Sequence, residues 1–282
     1  MPHKDPLIFC LIGLISTLLI AASCTSGPPA AKMGTPPFYW QAAKETWATA
    51  DYIKAADHLE QLCKGQNEFT ERAQPWRLVL TGGMAKGYME LANAFEAGGR
   101  ANQFNPTPFR RNTGDLRTLA ARRALQFAET FLAFSKHDHT KPIPLAFSFP
   151  TGSAAPIADL GKIGDGALLP PAKVEVIQRQ VVERGVLRAT TAAAGALDDV
   201  AKTRAVFQAG EAQVPHDTFA LAMVMMLHEQ AQLFSRDKLD MPERLKLFCD
   251  QALEALKHVP ETKETKELAA KIQKTLKGGK GK

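Results

Sequence analysis

Apolar residues recur every three or four positions along most of the chain, with polar residues between them. This spacing places apolar side chains on one side of an α-helix, so it predicts helices. The clearest stripe runs from Tyr52 to Cys63, and Asp51 precedes it as a candidate N-cap. No convincing stretch alternates apolar and polar residues as a strand does, and the predicted fold class is therefore all-α. Further helices are predicted at about 38–49, 72–97, 114–135, 172–208, 217–235, 242–258 and 262–277.

Two segments resemble the tetratricopeptide repeat, a helix–turn–helix unit of about 34 residues. In the first, residues 39–64, the sequence Asp51-Tyr52-Ile53-Lys54-Ala55 matches the turn between the two helices and the small residue of the second helix. In the other, residues 219–262, a helical run leads to Pro260, as the second helix of the repeat leads to its closing proline. The resemblance implies a helix-turn-helix repeat stack that serves protein–protein interaction. An irregular helical bundle is the alternative that the residues leave open.

The helical pattern stops between residues 140 and 171, which separates an N-terminal helical repeat region (37–139) from a C-terminal one (172–277). Six prolines in this segment exclude a continuous helix, and four glycines add backbone freedom. Apolar residues such as Phe147 and Leu168 nevertheless favour burial. A long Pro/Gly-rich loop of this kind is often functional, and a connector packed on the surface is the equally weighted alternative.

The first 24 residues have the composition of an export signal. A polar start with His3 and Lys4 leads into an apolar run up to Ala22, which is the pattern of a secretory signal. The run is too short for a confident membrane span, which needs about 20 apolar residues. Its end, Ala21-Ala22-Ser23-Cys24, resembles the lipobox of bacterial lipoproteins. Ordinary secretion, with Cys24 incidental, is the alternative.

The lipoprotein resemblance implies that residues 1–23 are a signal peptide that is removed, and that Cys24 is acylated as the first residue of the mature chain. Residues 24–36, rich in small residues and proline, would then form a lipid-anchored tether. The implied location is the periplasmic side of the bacterial cell envelope. Thr25 stands where an aspartate would retain a lipoprotein in the inner membrane, so the outer membrane is expected rather than the inner one.

The chain carries a formal net charge of +6 at pH 7, to which a basic tail at 278–282 contributes. Such a balance favours acidic surfaces such as lipid headgroups or cell-wall polymers. Nucleic acid is not an expected partner, because an exported protein would not meet it. A cluster of guanidinium groups suits carboxylates or phosphates, and a solvated polar face is the alternative. The candidate binding residues flank or lie on the helix predicted at 114–135 and are Arg110, Arg111, Arg117, Arg122 and Arg123.

The residue types that carry chemistry do not form a recognisable catalytic motif. His228-Glu229 begins like the zinc-protease helix motif, but Gln232 stands where the second ligand belongs. Residues 137–139 (His-Asp-His) are ligand types, although adjacent residues rarely complete a tetrahedral site. Three methionines at 223–226 lie in a run that is apolar on every face, which is typical of a buried helix. No enzymatic activity, metal or cofactor is predicted.

Two cysteines remain in the folded domain, because Cys10 leaves with the signal and Cys24 is acylated. Cys63 and Cys249 each lie on the apolar stripe of a helix and are predicted to be free, buried thiols. The sequence as a whole predicts a membrane-anchored periplasmic scaffold that binds a protein or peptide partner and catalyses no reaction. The alternative is a small-ligand or substrate-handling accessory protein of a transport or envelope system.

Overall fold

The computed structural model describes residues 31–136, 140–197, 199–207 and 211–279, and this part of the chain is mostly helical. The predicted all-α fold class is confirmed. The predicted signal peptide, Cys24, the first residues of the tether, the segment 137–139 and the end of the basic tail lie outside the described residues. The helices are α1 (Pro36–Ala48), α2 (Tyr52–Cys63), α3 (Thr70–Ala101), α4 (Thr107–Phe134), α5 (Ala158–Gly164), α6 (Pro171–Ala193), α7 (Val200–Val206), α8 (His216–Ala231), α9 (Pro242–Leu256) and α10 (Lys263–Gly279).

Helix α3 forms the centre of the molecule. Its consecutive residues Leu78, Val79 and Leu80 are all fully buried, and a helix that is apolar on every side has to be surrounded. Helices α4 and α6 run antiparallel to it, and α2, α5 and α8 also pack against it. The segments that resemble repeats contain the helical pairs α1–α2 and α8–α9. Although α3 has 32 residues, neither it nor another described helix is apolar enough over a sufficient length to cross a membrane.

Glycines bring α3 and α6 into direct backbone contact. A Cβ atom on Gly83 would lie 2.5 Å from the Cα of Val186, and one on Gly87 would lie 2.5 Å from the Val181 carbonyl oxygen. On the facing helix, a Cβ on Gly185 would collide with the Gly83 carbonyl oxygen. The two helices therefore cross at a point where only hydrogen fits in place of a side chain.

The segment 140–171 is packed onto the helices rather than extended into solvent. Residues Ile143–Leu145 form a short strand, β1, which pairs antiparallel with β2 (Ala212–Val214). Phe147 packs within the core, with its ring tilted against that of Trp47 at a centroid distance of 4.9 Å, and the Trp47 Nε1–H donates to the Ser148 carbonyl oxygen at 2.9 Å. The sequence did not predict these strands, because three residues are too few to show an alternating pattern.

The helix predicted at 172–208 is interrupted. Helix α6 ends at Ala193, and Gly195 follows with a φ of +75°. The N–H groups of Gly195 and Ala196 donate to the Ala192 and Thr191 carbonyls, which is the glycine-terminated cap common at helix C-termini. A second helix, α7, then begins after Asp199, whose side chain accepts from the Lys202 N–H. The prediction of one continuous helix was therefore wrong, and Gly195 is the residue that ends it.

Candidate binding cleft

The five arginines predicted to form a binding cluster lie on different sides of α4. A spacing of seven residues places Arg110 and Arg117 on one face, whereas Arg111 and Arg122 share a second, exposed face. The Arg111 Nε lies 4.0 Å from the Asp115 carboxylate in a solvated ion pair. Only the first pair borders a cleft, so the five residues do not act as one surface.

Arg123 belongs to the interior. Its Nη1 donates to the Gln126 side-chain oxygen at 2.9 Å, and the Gln126 amide donates to Glu60 at 3.3 Å. Arg77 from α3 donates to the same Glu60 oxygen at 3.3 Å. Burial lowers the pKa of Arg123 from its ordinary value, and nearby acidic groups such as Asp57 oppose that shift. This network joins α2, α3 and α4, and it gives Arg123 a structural role.

Arg110 and Arg117 face an open cleft of about 390 Å³ between α3, α4 and the connection that precedes α9. Helix α3 contributes Arg100, and the connection contributes Lys238. Phe95 and Leu239 supply apolar surface, while Gly99 and Gly114 leave room between the side chains. Four cationic side chains from three segments therefore surround one cleft.

A single carboxylate lines this cleft. Glu96 lies 3.0 Å from the Arg117 Nη2 and 3.7 Å from the Arg100 Nη1, so it is shared between two guanidinium groups. Neither Arg110 nor Lys238 forms a direct ion pair in the part of the chain that the structure describes. The cleft consequently keeps an excess of positive charge.

One further carboxylate, Asp237, lies at the edge of the cleft. The Ser235 hydroxyl donates to it at 2.6 Å and lowers its pKa below the ordinary value, and attraction to Lys238 and Arg117 contributes smaller parts. The Asp237 charge therefore offsets part of the positive charge without occupying the cleft itself. Even with this group included, the cationic side chains outnumber the acidic ones.

The connection between α3 and α4, two of the segments that line the cleft, presents a fully exposed aromatic ring. Phe104 lies at the middle of residues 102–106, and its side chain does not pack against the core. The connection is held in place, because the Asn102 amide donates to the Gly166 carbonyl at 3.0 Å and its oxygen accepts from the Asn105 N–H at 3.0 Å. These bonds give the backbone of the loop a defined conformation, and Phe104 is exposed on it.

The segment 140–171 accepts a hydrogen bond from an arginine of α6 that also forms an ion pair with α3. The buried Arg184 lies 2.8 Å from the Glu90 carboxylate through Nη2, and its Nη1 donates to the Ala155 carbonyl at 3.3 Å. Arg188 approaches the other oxygen of Glu90 at 3.8 Å. These contacts, together with Phe147 in the core, favour the interpretation of this segment as a packed connector.

The histidine considered as a zinc ligand has a different role. The His228 Nε2 lies 3.0 Å from the Thr275 hydroxyl, and Gln232 donates to the same hydroxyl at 3.1 Å. His228 thereby connects α8 with α10, and burial lowers its pKa below the ordinary value. Within the described ranges, no three His, Cys, Asp or Glu side chains lie close enough together to hold a metal ion.

Both cysteines of the folded domain are free. Cys249 on α9 is fully buried, and Cys63 on α2 is partly buried. Burial raises the pKa of each thiol to about 11. The two thiols are therefore protonated at neutral pH and poor nucleophiles.

Comparison of the chain with protein-family models, with curated proteins and with solved structures finds no match. The cleft must then be interpreted from its own chemistry. It offers guanidinium and ammonium donors and some apolar surface, and the loop between two of its helices carries an exposed aromatic ring.

Proposed function

We propose that this protein is a lipid-anchored scaffold of the bacterial cell envelope that catalyses no reaction. It binds a partner protein where α3 ends and α4 begins. The observation that carries the proposal is the exposed Phe104, on the loop that joins two helices lining a cationic cleft, in which Arg110 and Lys238 form no direct ion pair among the described residues. The ring is fully exposed, so it does not contribute to the core of this chain. A partner that covers the ring and the two cations would give each a role.

The composition of this surface is typical of interaction sites. Aromatic residues and arginine are enriched at the centres of protein interfaces, and both contribute strongly to binding energy there. Isolated exposed apolar residues are common on protein surfaces. Phe104 differs in being fully exposed on the loop between two helices that line a cationic cleft. This place in the chain favours a binding role.

The start of the described domain and the proposed binding surface lie near opposite ends of α3. Trp40 of α1 stacks on Phe69, which directly precedes α3, with ring centroids 5.1 Å apart. Phe104 follows the other end of this 32-residue helix, about 48 Å away at about 1.5 Å per residue. A tether that leaves from the start of α1 would leave the Phe104 end free to face away from the membrane.

The proposed location rests on the sequence. The lipobox-like Ala21-Ala22-Ser23-Cys24 supports acylation at Cys24, and Thr25 supports the outer membrane rather than the inner one. Several acyl chains would make the attachment stable, because one chain alone binds membranes only marginally. The periplasm is the compartment in which such a scaffold would meet its partner.

A second candidate function is a small-ligand accessory protein of a transport or envelope system. The cleft volume of about 390 Å³ favours it, because small-molecule sites commonly begin at about 300 Å³. Those sites usually enclose most of the ligand, whereas this cleft is open to solvent. Because this cleft is open, a side chain of a partner protein fits it better than an enclosed small ligand does.

Photocrosslinking in intact cells tests the proposal. A photoreactive phenylalanine analogue placed at Phe104 is expected to form a covalent adduct with one protein. The matched control is Leu132, another exposed apolar residue, which lies near the far end of α4. An adduct at position 104 and none at position 132 supports the scaffold. If neither position forms an adduct, or both capture the same mixture, the proposed surface is wrong.

A further inference from the structure

We infer that the cleft lined by Arg100, Arg110, Arg117 and Lys238 binds two carboxylates of an acidic peptide segment whose apolar residue packs on Phe104. This inference rests on the proposed function and names the chemistry of the partner. The occupant is a segment of the partner protein with acidic residues on both sides of an apolar one.

The net positive charge of the cleft indicates how many carboxylates the bound segment should carry. Four cationic groups line it, Glu96 compensates for one of them, and Asp237 offsets a second from the edge. A net charge of about two then remains to be balanced, and Arg110 is the cation that neither carboxylate pairs with. A segment with two carboxylates would complete the balance, whereas a neutral segment would bury cations without partners.

The cationic groups differ in how firmly they are held. Arg117 is largely buried and fixed against Glu96, so it forms a rigid base. Lys238 lies on a tight connection in which the Asp240 and Met241 N–H groups donate to the Ser235 and Phe234 carbonyls, both at 3.0 Å. Arg110 projects from the first turn of α4 into solvent. The fixed Arg117 and the structured connection that carries Lys238 reduce the entropy that binding costs, whereas Arg110 has to be ordered when the segment binds.

The start of α4 argues against phosphate as the ligand. Phosphate groups at helix N-termini are usually held by free backbone N–H groups. Here Pro106 precedes the helix and Pro108 is its second residue, and neither has an N–H to donate. The cationic donors of the cleft are side chains on three separate segments. Carboxylates on separate side chains fit this spread better than one compact phosphate.

The cleft is open on the side of Gly114, where the backbone of the segment would enter. A methyl group added to Gly114 would meet no neighbouring atom within 4 Å, so the surface there is open. Phe104 precedes the first residue of α4 by three positions, on the loop that joins the two helices lining the cleft. In the proposed complex the apolar residue of the segment meets this ring while its neighbours reach the cations.

A pair of synthetic peptides tests the inference. The probe is acetyl-Gly-Glu-Phe-Glu-Gly-amide carrying a fluorescent label, and its control has Gln in place of both Glu. Fluorescence anisotropy is measured with the acylated full chain in detergent micelles. The acidic peptide is expected to bind at least tenfold more tightly than its control, and added salt should reduce this difference by screening the exposed charges.

Matched variants locate the binding. Arg110→Ala combined with Lys238→Ala is expected to lower the affinity for the acidic peptide at least tenfold, whereas Arg122→Ala on the opposite face should leave it unchanged. These side chains form no direct ion pairs among the described residues, and circular dichroism checks that the variants stay folded. Equal binding of the two peptides would overturn the inference. So would binding of inorganic phosphate in preference to the acidic peptide.

The two proposals fail in different ways. A crosslink at position 104 that persists unchanged in the Arg110→Ala/Lys238→Ala variant would retain the scaffold and reject the carboxylate-binding cleft. Absence of any crosslink at position 104 would reject the partner surface itself. Loss of the crosslink in this variant but not in Arg122→Ala supports both.

Discussion

A thiol buried among apolar groups keeps its proton to higher pH than a thiol in water, because burial disfavours the thiolate. Cys63 and Cys249 both lie in such surroundings, and the pKa of each is raised from about 9 to about 11. Arg77 lies near Cys63 and opposes the shift, but desolvation is the larger effect. The stability of the fold therefore depends on pH in the alkaline range, where these two thiols lose their protons.

The stability of the protein is expected to fall as pH rises from about 9 to about 11. In this range the unfolded chain has lost its thiol protons while the folded chain retains them, so unfolding is favoured as pH rises. Each thiol contributes a slope of up to about 1.4 kcal/mol per pH unit. Urea unfolding at pH 8.5 and pH 10 measures this, and the Cys63→Ala/Cys249→Ala variant should show a flatter decline. Parallel declines in the two proteins would contradict the assignment.

The candidate site was only partly predictable from its residues. Helical spacing alone indicates that Arg110 and Arg117 share a face, since seven residues make almost two turns. Nothing in the sequence indicates that Lys238 lines the same cleft as these two arginines. Its position depends on how the connection before α9 folds back. Burial of Arg123 also depends on its partners in other helices, chiefly Glu60 through Gln126.

At the scale of elements, the crossing of α3 and α6 depends on the absence of side chains. Gly83 lies against the backbone of Val186, and Gly185 lies against the backbone of Gly83. Backbone atoms cannot move aside as the end of a flexible side chain can. A methyl group at either position would push the two helices apart along much of their length.

Gly83→Ala is expected to destabilise the fold by about 1–3 kcal/mol through overpacking. The matched control is Gly114→Ala, also within a helix, where the added methyl meets no atom within 4 Å. That change should be neutral or stabilising by up to about 1 kcal/mol, because alanine favours the helix. Urea unfolding of both variants provides the comparison. A cost at position 114 equal to that at position 83 would indicate a general effect of glycine replacement instead of the helix crossing.

Periodicity predicted most helices to within a few residues but missed features that depend on distant contacts. The helix predicted at 72–97 extends to Ala101, because Gly98 does not end it and instead lets the Ile163 carbonyl approach. The helix α5 and the pair β1–β2 lie in or against the Pro/Gly-rich segment. Their short lengths carry no periodic signal, and the contacts that stabilise them come from elsewhere in the chain.

At the scale of the whole molecule, α3 has two roles: it forms the centre of the core, and it separates the two ends of the domain. Its apolar surface holds the surrounding helices, and its length separates the start of α1 from the loop that carries Phe104. The proposed scaffold uses this separation, with attachment at one end and binding at the other. The same arrangement would allow the partner surface to act at a distance of about 48 Å from the start of α3.

The central claim is that this domain is attached to the envelope through Cys24, and mass spectrometry of the protein purified from the cell envelope tests it most directly. The account predicts a mature chain that begins at Cys24 and carries the added mass of acyl groups on its first peptide, with this modification lost in Cys24→Ala. A chain that keeps residues 1–23, or one that carries an unmodified thiol at Cys24, would contradict it.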